Sequence, residues 1–369
     1  EITGMILMLR LINELCTSTD SRIVDLVNDL DIYILPLTNP DGTYNGGNYT
    51  VNNAKRYNGH NIDLNRNYKD YYRGDHPDGH SYEDETLWTM AMGDEHLFTM
   101  SANYHGGAEV MNYPWDAVYN DHADKAWYEQ VCTEYVQLAR QTYSSYMSDN
   151  YSDGVTNGAD WYIITGSRQD YMNAYAQCRE VTVECSSTKT PSASVLPNYW
   201  NYNRNSMLAF MEQALKGVHG FVHDAVTGDP IEGVTVTVAN HDSETSFVTT
   251  HAFGDFHRPI KGGNYTFIFE KEGYLPQSVN VSIADGQRLE LNDLQLTPDN
   301  VALQTINLRS GWNWLSSYVE ADDLLDQLEE GLGDAGVQIK SQSNFVINYG
   351  SVWLGGLDAI TNEQTLKVQ

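Results

Sequence analysis

The stretch from Cys178 to Ser186, CREVTVECS, decides the fold. Val181, Val183 and Cys185 alternate with Glu180, Thr182 and Glu184. That period of two is the mark of a β-strand, and the even spacing puts both carboxylates on one face beside Thr182. A glutamate inside a buried strand needs a partner or a perturbed pKa, so either carboxylate is a general-base candidate. The bland reading is an edge strand with one wet face. Cys178 and Cys185 are an odd number of residues apart, so a continuous strand points them to opposite faces.

Working outward, strand runs appear at Ile32–Leu37 and Thr99–Tyr104, and helical spacing at Ile2–Cys16, Ala123–Met147 and Asn205–Leu215. Helix and strand signals alternating to about residue 216 predict an α/β domain with a largely buried sheet. The loops between are long and rich in Asn, Gly, Asp and Tyr, where sites usually sit on such scaffolds. After Gly217 the texture changes to short alternating strands broken by Gly, Asp and Pro, as in GFVHDAVTGDPIEGVTVTV (220–238). These predict a small all-β sandwich ending near Leu296. TPDN (297–300) then reads as a linker, and a third region from Val301 carries a helix signal at Ala321–Leu332 among strand-like pieces.

Composition excludes some functions. Fifty acidic against 21 basic residues give a formal net charge of −29. Phosphate neutralisation needs clustered Lys and Arg, so a nucleic-acid partner is not expected. A field of that sign would instead concentrate cationic substrates. No apolar run approaches the ~20 residues of a membrane span. Four scattered cysteines (16, 132, 178, 185) are too few for a disulfide scaffold, and all are expected to be buried thiols.

Besides CREVTVECS, three constellations before residue 217 carry chemistry. HNIDLNRNY (60–68) sets Asn65 beside Arg66; a planar guanidinium fork with a neighbouring amide suits a carboxylate, or is an ordinary surface turn. FTMSANYHGGAEVMNYPWD (98–116) places His105 at a strand end before two glycines, as a metal ligand, a base or a structural histidine. Asp116 closes that stretch, either to read a cationic side chain or to serve a turn. GADWYIITGSRQDYMNAY (158–175) is a Gly- and Tyr-bearing loop able to cover a site.

In this order, NPDG, NIDLNRN, SANYHGG…NYPWD, GADWY…QD and EVTVE resemble the zinc metallocarboxypeptidases, in their carboxypeptidase N/E branch. The likeness runs from Glu1 to about Leu296 and includes the branch's transthyretin-like sandwich. It implies a mixed-sheet α/β catalytic domain over 1–216, a β-sandwich over 217–297 and a partial module over 301–369. It implies Zn2+ held by Glu1, from a His-x-x-Glu motif matched from the Glu onward by EITGMILMLRLI, and by His105. Glu184 matches the general base, and Arg56 the arginine that polarises the scissile carbonyl. Asn65, Arg66 and Tyr162 match the grip on the substrate's terminal carboxylate. Asp116 and Gln169 match the pocket that favours C-terminal Lys or Arg.

Two departures stand out. The branch has GGMQD where this chain has GSRQD (166–170), and an Arg168 facing the pocket would repel a basic side chain. The family's first ligand, a His three residues before the Glu, has no counterpart here, nor do the opening strands. The expectation is therefore a truncated catalytic domain that is inactive alone, from a secreted or cell-envelope bacterial parent. That parent would be a monomer cutting peptide C-termini. Two alternatives stay open: a carboxypeptidase of cell-wall peptides, which Arg168 would suit, and a non-catalytic peptide-binding fragment. INLRSGWNWLSSYVE (306–320) resembles a segment of modular secreted proteins of Bacteroidetes-type bacteria.

Overall fold

The computed structural model describes residues 2–148, 151–299, 306–317, 323–350, 352–360 and 364–369. The first compact unit comprises residues 1–272 and 276–296. Its α/β part opens with helices α1 (Ile2–Thr17) and α2 (Ser21–Asp29), where Asp20 caps α2 by accepting from the Arg22 N–H. The short α3 (Pro40–Thr43) and α4 (Asp84–His96) precede a four-stranded mixed sheet. Its strands are β1 (Met100–His105), β2 (Ala108–Tyr113), β3 (Val155–Asn157) and β4 (Arg179–Ser186), in the order β1-β4-β2-β3. β1 and β4 run parallel, β4 and β2 antiparallel. Helices α5 (Lys125–Arg140), α6 (Gly158–Trp161), α7 (Arg168–Ala174) and α8 (Leu196–Glu212) complete this part.

Alternation along β4 divides the sheet chemically. Val181, Val183 and Cys185 join Leu7 and Leu11 of α1, Tyr128 and Val131 of α5 and Met207 and Leu208 of α8 in the main core. Burying each such aliphatic side chain contributes about 1.5–3 kcal/mol. The opposite face carries Ser101, Asn103 and His105 of β1 beside Glu180, Thr182 and Glu184 of β4, partners in register. The polar residues of CREVTVECS are thus a prepared face, and β4 is an inner strand rather than an edge.

Three expectations need correction. Ile32–Leu37 forms no ladder; Ile34 packs on the core while Tyr33 and Leu35 stay exposed, so its hydrophobic run is used without sheet pairing. Helix α8 starts at Leu196 rather than Asn205, because Pro197 fits a first helical turn where its missing N–H costs nothing. Cys16 is exposed at the end of α1, whereas Cys132, Cys178 and Cys185 are buried, and all four are free thiols.

The sandwich packs sheet β10-β9-β6-β7 against β11-β5-β8. Its strands are β5 (Gly217–Asp224), β6 (Thr235–Val238), β7 (Val248–Thr249), β8 (Asp255–Arg258), β9 (Gly263–Glu270), β10 (Gln277–Ile283) and β11 (Arg288–Leu296). Val218, Val222, Val236, Phe256, Phe267 and Phe269 fill its interior. The second unit, residues 273–275 and 297–369, has a five-stranded sheet and helix α9 (Leu324–Leu332) around Leu325, Ile339, Val346 and Leu366. Part of the sequence-predicted helix at Ala321–Leu332 lies outside the described residues. No described helix is long and apolar enough to cross a membrane.

Candidate active site

The C-terminal ends of β1 and β4 stand level, with His105 the register partner of Glu184. Parallel neighbours lie about 4.8 Å apart, so an imidazole and a carboxylate emerge side by side on the polar face. Burial, with the charges of Arg56, Arg168 and Arg66 acting in the same direction, lowers the His105 pKa to about 3. The ring is therefore neutral at neutral pH, the form that offers a lone pair to a metal.

The second strand carboxylate has a different fate. Glu180 is fully buried; its Oε2 accepts from Ser101 Oγ at 2.5 Å and from Arg168 Nε at 3.1 Å, and its Oε1 from Asn103 Nδ2 at 2.9 Å. Arg168 is thereby spoken for. Its guanidinium faces Glu180, and its backbone N–H donates to Asn65 Oδ1 at 2.9 Å.

One carboxylate organises the arginine loop. Asp63 caps the 3-10 turn Leu64–Arg66, its Oδ1 accepting from the Asn65 N–H at 3.2 Å. Its Oδ2 accepts from Arg56 Nε at 2.6 Å. Asn39, which caps α3, donates its side-chain amide to the Arg56 carbonyl at 2.9 Å. Arg56, Asn65 and Arg66 are thus presented by one stiffened loop. Arg56, Asn65, His105 and Arg168 line a single cavity of about 1100 Å³.

Asp116 is 2% exposed. Its Oδ1 accepts from Gln169 Nε2 at 3.1 Å and Asn112 Nδ2 at 3.2 Å. Burial pushes its pKa up, while hydrogen bonds from Ser167 and Asn112 and the charge of Arg66 oppose that rise. Asp170 clamps the same corner, accepting from the backbone N–H groups of Asp116 at 2.9 Å and Ala117 at 3.0 Å. The first residue of α6 must be glycine: a Cβ at Gly158 would lie 2.0 Å from Asp116 Oδ1. Tyr162, just after α6, is 49% exposed and rests edge-on against Trp161.

The structure therefore groups Arg56 with Asn65 and Arg66, His105 with Glu184, and Asp116 with Gln169. Glu1 lies outside the described residues. A neutral imidazole at the strand end fits a zinc ligand. His60 instead pairs with Glu83, and His122 is buried beside Asp124. Sequence reasoning passed over Asp63, Asn112 and Asp170, although Asp63 sits inside NIDLNRN and Asp170 inside SRQD; their signal was a charged residue held at fixed spacing from a site residue.

Residues 1–206 match the zinc carboxypeptidase family, and residues 217–297 match the carboxypeptidase regulatory-like domain. The chain belongs to the zinc carboxypeptidase family. It is 35% identical over 311 residues to carboxypeptidase D of Mus musculus, covering 79% of this chain and 22% of that protein. It is 31% identical over 329 residues to the carboxypeptidase N catalytic chain of Homo sapiens, covering 79% of this chain and 71% of that one. Carboxypeptidase E of Caenorhabditis elegans is 30% identical over 339 residues, with 78% and 71% covered. The chain thus spans about a fifth of the length of its carboxypeptidase D relatives.

Proposed function

We propose that the protein removes C-terminal residues, Lys or Arg by preference, from peptides and proteins. The observation that carries this reading is the buried Asp116 carboxylate, held by Asn112 and Gln169 within reach of the Arg66 charge. A carboxylate kept in so dry a place, in a chain of net charge −29, suits a cationic side chain that pairs with it. The pairing of Arg168 with Glu180 supports a basic preference over a wall-peptide substrate, because its guanidinium is engaged by a carboxylate.

Glu1 and His105 would hold Zn2+, which supplies a Lewis acid and lowers the pKa of water bound to it. Glu184 accepts a proton from the attacking water and delivers it to the departing amine. Arg56, steadied by Asp63, donates hydrogen bonds to the carbonyl oxygen as charge develops there. Asn65, Arg66 and Tyr162 grip the terminal carboxylate, which restricts cleavage to the last peptide bond. The domain limits 1–216, 217–297 and 301–369, a monomeric state and a secreted or envelope location in a bacterium belong to the same proposal.

Release of Arg from an Arg-ended peptide by the zinc-loaded full-length protein tests it, and a chelator should abolish the activity. No release from any peptide, or faster release of Leu than of Arg, overturns it. Asp116→Asn should weaken the preference for Arg over Leu by about 2 kcal/mol or more in kcat/KM. Burial raises the Asp116 pKa, so the group gives up its proton, and becomes able to pair with a basic side chain, at a higher pH than an ordinary carboxylate. The KM for Arg-ended peptides should therefore fall as pH rises through that pKa, with no such trend for Leu-ended ones.

A further inference from the structure

A cluster of histidines on the sandwich is not used by the peptidase reading. The turn between β7 and β8, HAFGD (251–255), closes with the Gly254 N–H donating to the His251 carbonyl at 2.9 Å and the His251 N–H to the Asp255 carbonyl at 2.8 Å. Gly254 has a φ of +75°, and a Cβ there would lie 2.4 Å from the Val222 carbonyl oxygen, so the tight turn requires glycine. The turn sets His251 over Asp255. His257, two residues along β8, shares the face of Asp255, and His219 on β5 is its register partner.

The atoms converge. His251 Nδ1 lies 2.7 Å and His257 Nε2 3.1 Å from Asp255 Oδ2, and the three ligand atoms fall within 4.8 Å of one another. Zinc–nitrogen bonds of about 2.0–2.1 Å at tetrahedral angles put ligand atoms roughly 3.3 Å apart, so small shifts would seat an ion.

Hydrogen-bond roles decide what the site wants. His219 Nε2 faces the Lys216 carbonyl at 3.0 Å, and His251 Nε2 faces the Leu97 carbonyl at 3.4 Å. A carbonyl only accepts, so both Nε2 atoms carry hydrogen. A neutral His219 then has a bare Nδ1, which accepts from the His257 Nδ1–H at 2.7 Å. The nitrogens left bare in neutral rings are His251 Nδ1 and His257 Nε2, and both point at a carboxylate oxygen that cannot donate. In neutral rings three lone pairs therefore meet at one point; without a metal, a proton on His251, whose hydrogen bond with Asp255 raises its pKa, bridges that pair. A divalent cation satisfies all three at once, and each ligating ring already has the outer partner such ligands use.

We propose that His251, Asp255 and His257 form a second metal site on the sandwich, for a borderline divalent cation such as Zn2+ or Co2+, with His219 orienting His257. Two imidazoles and one carboxylate leave a fourth position open and favour these ions over Ca2+ or Mg2+, which prefer all-oxygen shells.

The test uses the full chain carrying His105→Ala, so that failure of the peptidase site and failure of this one are separable. Titration with Co2+ and metal analysis after gel filtration should find one equivalent per chain. A tetrahedral cobalt spectrum should lack a thiolate charge-transfer band. Adding His251→Ala and His257→Ala should remove that equivalent, and Asp255→Asn, which preserves shape, should weaken binding at least tenfold. Failure of the His105→Ala chain to bind metal, or an unchanged stoichiometry and affinity in the Asp255→Asn variant, overturns the proposal.

Discussion

At the scale of single residues, the two carboxylates of CREVTVECS show how far spacing reaches. Alternation put Glu180 and Glu184 on one face, and the face is there. It did not separate their roles, because the separation comes from Arg168, a residue of α7 twelve positions before Glu180. Their neighbours thus separate two residues of one strand: Glu180 is a buried, paired group, and Glu184 stands level with His105. Arg168→Met should expose that difference. It would leave Glu180 buried without its cation, at a cost of about 3–5 kcal/mol. Urea denaturation should register that loss, while the Arg-over-Leu preference stays where it was. A gain in activity on Arg-ended peptides would instead mean that Arg168 faces the pocket.

At the scale of elements, the two strands carrying His105 and Glu184 were legible because each has a clean period, whereas α6 and α7 lie in the stretch that reads as a loop. β1 and β4 fall within one or two residues of Thr99–Tyr104 and Val181–Cys185. What periodicity cannot report is pairing. Ile32–Leu37 has the apolar run of a strand, yet a strand exists only where a neighbour completes its ladder, and among the described residues none does. Local pattern is equally silent on close approach between elements. Gly158 reads as an ordinary loop glycine, but it opens α6 directly against Asp116. Gly158→Ala should push the Asp116 carboxylate out of its hydrogen bonds with Asn112 and Gln169. The expected result is a higher KM for Arg-ended peptides with kcat on Leu-ended ones little changed. Equal loss on both substrates would show that α6 moves as a body.

At the scale of the first compact unit, domain order could be read along the chain, but the joint between peptidase part and sandwich could not, since its members are 134 residues apart. Asp124, at the start of α5, is fully buried and accepts from Arg179 Nη2 at 2.9 Å, from Arg258 Nη1 at 2.9 Å and from Arg258 Nη2 at 3.0 Å. Arg258 also donates to Asp242 at 2.6 Å, and Arg179 reaches the Ser246 carbonyl. Two guanidiniums hold the Asp124 carboxyl well below the usual carboxylate range despite its burial. A depressed carboxylate contributes stability above its unfolded pKa and loses it as pH falls through the folded value, so this joint should weaken only in strong acid. His122, next to it, has the opposite chemistry and acts earlier. Burial lowers its pKa from 6.5 to about 3, so the unfolded chain binds more protons between those values and stability declines with acidification across that window. Thermal melts should therefore begin to fall near pH 6.5. Asp124→Asn should cost about 3–5 kcal/mol at neutral pH, because buried Arg179 loses its carboxylate partner and Arg258 keeps only Asp242. It should also flatten the steeper loss in strong acid while leaving the decline that starts near pH 6.5. A variant as stable as the parent at neutral pH would mean that the sandwich and the peptidase part hold together without this joint.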